Sequence, residues 1–85
     1  MDEAKVLTEM MEKLDALRYN PVRFIVQSAT TVFSECRDCW DIAANDHPPL
    51  EQIIERFMTS IVGKGDHYIA LAEIYARHKM KEYDP

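Results

Sequence analysis

Turn-forming residues and cysteine are scarce in this sequence of 85 residues, which has two glycines, four prolines and two cysteines. So few glycines and prolines leave little chain for long loops. The proportions of hydrophobic and charged residues, 47% and 29%, are those of an ordinary globular chain. We therefore expect a single small helical domain over residues 1–85, close to the size at which one core is only just sufficient.

Long apolar runs are also missing. The longest, from Tyr68 to Ala72, has five residues, whereas a membrane-spanning helix needs ~20. The N-terminal segment is acidic and lacks the basic-then-apolar order of a signal peptide. With two cysteines and no secretion signal, reduced thiols are the expectation. We expect a cytoplasmic protein without a membrane partner.

Positive charge is in the minority, with ten basic against fifteen acidic residues and a net charge of −5. The basic residues are scattered, and the one cluster, in residues 77–81, is followed at once by Glu82 and Asp84. Proteins that bind nucleic acids usually concentrate basic residues on one face. We therefore expect no nucleic-acid partner, and instead an acidic surface that binds another protein.

Apolar residues recur with a helical period, and no segment alternates with a period of two. The sequence predicts an all-α fold, a small four-helix bundle. The first helix is expected over about 2–17 and the second over about 21–44. The third should begin at Pro49 and end before Gly63, and the fourth should begin with Asp66 as its N-cap. The predicted inward-facing residues of the first, third and fourth helices are Ala4, Leu7, Met10, Met11, Leu14, Leu17, Leu50, Ile53, Ile54, Phe57, Ile61, Tyr68, Leu71, Ile74, Tyr75 and His78.

The second predicted helix has the longest apolar stripe. Asn20 is a favourable N-cap, Pro21 suits the first turn, and Tyr19 with Phe24 matches a hydrophobic staple. A residue before proline avoids helical angles, so an extended His47 is expected beyond the end of this helix. The helix would be roughly 35 Å long, against about 20 Å for the third and fourth. We expect its uncovered apolar end to mediate self-association. The stripe consists of Val22, Ile25, Val26, Ala29, Val32, Phe33, Cys36, Cys39, Trp40 and Ala43.

Cys36 and Cys39 form a Cys-x-x-Cys pair, which has three interpretations: a redox pair, half of a zinc site or two core residues. Redox pairs lie at helix N-termini, whereas Cys36 falls about four turns inside the predicted helix. A structural zinc site needs two more ligands, for which His47, His67 and His78 are the candidates. His67 and His78 would lie roughly 16 Å apart along one helix, so they cannot share an ion. We expect packing, with no metal, cofactor or catalytic residue.

These patterns favour a protein-interaction module of the regulatory, adaptor or inhibitor type, which is not an enzyme and which self-associates. The candidate partner surface combines exposed charges on the second and third helices. Its residues are Arg37, Asp38, Asp41, Glu51 and Glu55.

A second hypothesis is a helical module that binds a small ligand or a nucleotide in an aromatic pocket. The candidate pocket residues are Trp40, Tyr68, Tyr75 and His78. A thiol-redox or zinc protein that uses Cys36 and Cys39 is the least favoured interpretation.

Overall fold

The computed structural model describes residues 2–17 and 28–83, which form four α-helices. Helix α1 spans Glu3–Leu17, α2 spans Ala29–Ala43, α3 spans Leu50–Ser60 and α4 spans Asp66–Lys81. No strand occurs within the described ranges. The prediction of an all-α fold with four helices is confirmed.

The prediction of one long central helix is wrong. Helix α2 has 15 residues, as α1 does, and α4 has 16. Ser28 has extended angles, φ −78° and ψ 156°, and its side chain accepts a hydrogen bond from the Thr31 backbone N–H at 3.2 Å. Because an extended residue cannot continue a helix, this cap starts α2 at Ala29. The predicted start at Asn20 and Pro21, the staple and the stripe residues before Ala29 lie outside the described residues.

One core receives side chains from all four helices. The described part of the α2 stripe is buried, except that Cys39 is half-buried. The α3 prediction is also correct, since Ile53, Phe57 and Ile61 are buried and Leu50 and Ile54 pack against them. At the centre, the Trp40 ring contacts Phe57 with centroids 5.3 Å apart.

The inward face of α1 is rotated from the predicted one. Val6, which the prediction omitted, and Met10 are fully buried, whereas Ala4 is exposed and Met11 is 52% exposed. Both faces satisfy a helical period, so only the position of the neighbouring helices selects between them. Helix α1 packs mainly against α4, and α2 packs against the other three helices.

The connection between α2 and α3 contains two consecutive residues with left-handed backbone angles, Asp46 at φ 70° and His47 at φ 51°. The prediction of an extended His47 is therefore wrong. Its N–H bonds to the Ala44 carbonyl at 3.1 Å, which continues the turn at the end of α2. Asp and His adopt this region more readily than most residues. Arg56 then joins the two helices by donating to the Ala43 carbonyl at 3.2 Å.

The connection between α3 and α4 turns at Gly63, which has φ +90°. Glycine is the residue that adopts this angle without strain. Helix α3 ends before Gly63, as predicted, with Ile61 as its C-cap. Gly65 rather than Asp66 is the N-cap of α4, and Asp66 is the first helical residue. No helix within residues 2–17 and 28–83 is long and apolar enough to cross a membrane.

Candidate interaction surfaces

The four residues of the predicted ligand pocket lie in different surroundings. Trp40 and Tyr75 are core residues whose ring centroids are 6.4 Å apart. Tyr68 is buried, and the Lys64 ammonium lies 5.2 Å from its ring centroid. His78 is half-buried beside Glu9 on α1. Trp40 and Tyr75 therefore pack against each other in the core, and the contact of His78 is with Glu9. The ligand-binding hypothesis stays a prediction.

The two cysteines are free thiols on α2. Cys36 is fully buried, about two turns from the start of the helix rather than the four that the sequence suggested. Burial raises the pKa of the Cys36 thiol to about 12, and the neighbouring Cys39 adds to the shift. A thiol with such a pKa is almost entirely protonated at neutral pH, so it is a poor nucleophile.

Tyr68 connects Cys36 to a carboxylate. Its hydroxyl is within hydrogen-bonding reach of Cys36 and Glu35. The pKa of the Tyr68 phenol is raised, first by burial and then by the bond to Glu35, which needs the protonated phenol as donor. The bond with Tyr68 acts in the opposite direction on Cys36, because it lowers the pKa of the thiol, although burial outweighs it. This short chain of polar groups holds α2 to α4.

His, Cys, Asp and Glu side chains in the described part of the chain form no group of three suited to a metal ion. His47, His67 and His78 lie in the α2–α3 connection, at the start of α4 and near its end. Two buried polar atoms, His67 Nε2 and Tyr75 Oη, make no hydrogen bond within the described residues.

The charged residues of the predicted partner surface are all exposed. Arg37, Asp38 and Asp41 lie on α2, and Glu51 and Glu55 lie one turn apart on α3. The prediction overlooked Ile42, which is an aliphatic residue and yet 75% exposed. It follows Asp41 directly and lies one turn after Asp38. The heptad register could have predicted this exposure, because Ile42 is an apolar residue that falls outside the buried stripe. We call Arg37, Asp38, Asp41 and Ile42 the α2 face.

A second surface lies where the start of α3 meets the end of α4. It is a shallow groove of about 350 Å³, which we call the α4 groove, lined by Leu50, Arg77, Met80, Lys81 and Tyr83. Leu50 is half-buried, while Met80 and Tyr83 are 40% and 50% exposed. The groove therefore combines an apolar floor with two positive charges. The basic cluster at residues 77–81 was visible in the sequence, but its apolar neighbours were not.

An ionic cluster anchors one end of this groove to α1. Glu9 binds Arg77, and its other carboxylate oxygen lies 2.6 Å from His78 Nε2. The hydrogen bond with His78 and the charge of Arg77 hold the pKa of the Glu9 carboxyl below its ordinary value. These contacts join residues that are 68 and 69 positions apart in the chain.

Comparison with known proteins found no protein similar to this chain. A scan against protein-family models, a search of curated proteins and a search of solved structures each returned no match. Functional inference therefore depends on the surfaces themselves.

Proposed function

We propose that this chain is a small protein-interaction module of the regulatory, adaptor or inhibitor type, and that it is not an enzyme. The exposure of Ile42 carries the proposal. This side chain is 75% exposed and lies off the buried stripe of α2, beside the exposed carboxylates of Asp38 and Asp41. A partner that covered it would gain most of the ~1.5–3 kcal/mol that burial of an isoleucine contributes. The carboxylates beside it would favour a partner with positive charge.

The chemistry of the buried groups supports a binding role over a catalytic one. Cys36, the residue type best suited to nucleophilic attack, has a pKa raised to about 12 by burial. Its neighbour Tyr68 is engaged with Glu35, and Trp40 is enclosed by core rings. These three side chains are therefore used in packing, whereas those of the α2 face are charged or aliphatic.

Substitution of Ile42 tests the proposal against a matched control. Val62 is 77% exposed in the connection after α3, so Val62→Ser removes a similar exposed aliphatic side chain elsewhere. We expect both Ile42→Ser and Val62→Ser to keep the parent melting temperature and helical circular dichroism. In affinity capture from the native host, only Ile42→Ser should lose the proteins retained by the parent. Equal capture by both variants would show that the α2 face is not the binding surface.

A further inference from the structure

The α2 face and the α4 groove have opposite characters. The first presents an exposed isoleucine with two carboxylates and the Arg37 guanidinium, and the second combines apolar side chains with two cations, of which Arg77 is bound to Glu9. Ile42 does not line the groove of its own chain, and it stays exposed. Because both surfaces belong to helices packed on one core, contact between them requires two molecules. We infer that the partner of the α2 face is a second copy of this chain, which receives it in the α4 groove.

This inference rests on the proposed function, since it names the partner of the same surface. The charges support the pairing. Arg77 is bound to Glu9, whereas Lys81 has no ion-pair partner among the described residues and is exposed. Asp38 is exposed one turn before Ile42 and has no salt bridge within the described ranges. In the proposed contact, Ile42 enters the groove and Asp38 pairs with Lys81, which lines it.

The same arrangement explains how an acidic chain can self-associate. With a net charge of −5, two copies repel each other over most approaches. In the last turn of α4, His78 contacts Glu9 and Lys79 pairs with Glu82, which leaves Lys81 as the cation of that turn without an ion pair among the described residues. Approach of Asp38 and Asp41 of the α2 face to Lys81 is attractive, while approach of the same carboxylates on two copies is repulsive. Self-association was expected through the apolar end of a long second helix, which the structure does not have. The inferred contact joins two different surfaces instead.

A charge-exchange experiment tests the pairing on the full chain. Asp38→Lys and Lys81→Glu each place like charges together, and the double variant restores an opposite pair with reversed polarity. Light scattering after gel filtration of the parent, at the highest soluble concentration, should give a mass above the 9.9 kDa of one chain. Each single variant should raise the dissociation constant by about fivefold or more, and the double variant should recover most of that loss.

Controls separate the pairing from general charge effects. Glu12→Lys, which reverses an exposed charge on α1, should leave association unchanged. All variants should keep the parent circular dichroism. A strictly monomeric parent would overturn self-association while leaving the Ile42 capture test of the proposed function intact. Single variants that associate like the parent, or a double variant without recovery, would overturn the pairing of Asp38 with Lys81.

Discussion

Replacement of Tyr75 by phenylalanine should stabilise the protein. The Tyr75 side chain is fully buried, and its hydroxyl oxygen makes no hydrogen bond within the described residues. Its ring packs against Phe33, Trp40 and Phe57 with centroids 5.4, 6.4 and 6.1 Å apart. Tyr75→Phe keeps these ring contacts and removes only the unsatisfied hydroxyl.

The size of the effect follows from the state of that hydroxyl. A buried polar group without a hydrogen-bond partner costs about 1–3 kcal/mol of desolvation. Removal of the group should recover the lower part of this range, because the smaller side chain leaves a small gap. We expect the free energy of unfolding to rise by about 1 kcal/mol. For a domain of this size the melting temperature should then rise by roughly 4–8 °C.

Tyr68 provides the matched control, because it is also a buried tyrosine on α4 but its hydroxyl has partners. Tyr68→Phe breaks the contacts with Glu35 and Cys36 and should lower the free energy of unfolding by about 1 kcal/mol. Urea unfolding followed by circular dichroism, with calorimetry for the melting temperature, measures both variants. A Tyr75→Phe variant that loses stability as Tyr68→Phe does would show that the Tyr75 hydroxyl is satisfied, and would refute the reasoning.

Three further predictions concern the helix contacts and ends. Glu9 has a pKa lowered mainly by its bond with His78, so it stabilises the fold above its ordinary pKa and loses this effect as pH falls through the lowered value. Glu9→Gln should therefore have a lower free energy of unfolding than the parent at neutral pH and the same value in strong acid. Urea unfolding at several pH values measures this, and a difference that does not change with pH would contradict it. Ser28→Ala should lower the free energy of unfolding by about 1 kcal/mol, because α2 loses its cap; an unchanged urea midpoint would contradict the cap. Gly63→Ala should cost about 1 kcal/mol in the same assay because φ is +90° there with open space around it; an unchanged urea midpoint would exclude backbone strain at this position.

Prediction from the sequence succeeded where the signals are local. The bounds of α1 and α3 and the start of α4 were predicted to within a residue or two, because the signals for them, such as Pro49 and Gly63, lie within their own segments. It failed at the start of α2, where the apolar stripe continues in phase across Ser28. A heptad pattern does not indicate a cap in its middle, whereas the extended angles of Ser28 and the bond it accepts from the Thr31 N–H set the start of α2 at Ala29.

The candidate surfaces were less accessible to sequence reasoning. The exposed acidic residues of α2 could be placed by register alone, and the structure agrees with their exposure. Ile42 was overlooked because the heptad argument followed buried positions only. The α4 groove could not be foreseen, since Leu50 comes beside Met80 and Tyr83 only when the tertiary structure brings the start of α3 to the end of α4.

By itself, the sequence determined an all-helical chain and the buried faces of α2 and α3. These properties depend on residues three or four positions apart, which are neighbours in any helix. The tertiary structure alone decided the bond of Glu9 with Arg77 and His78, the isolation of the Tyr75 hydroxyl and the formation of the α4 groove. Each of these depends on contacts between different helices, for which a periodic pattern within one helix carries no information.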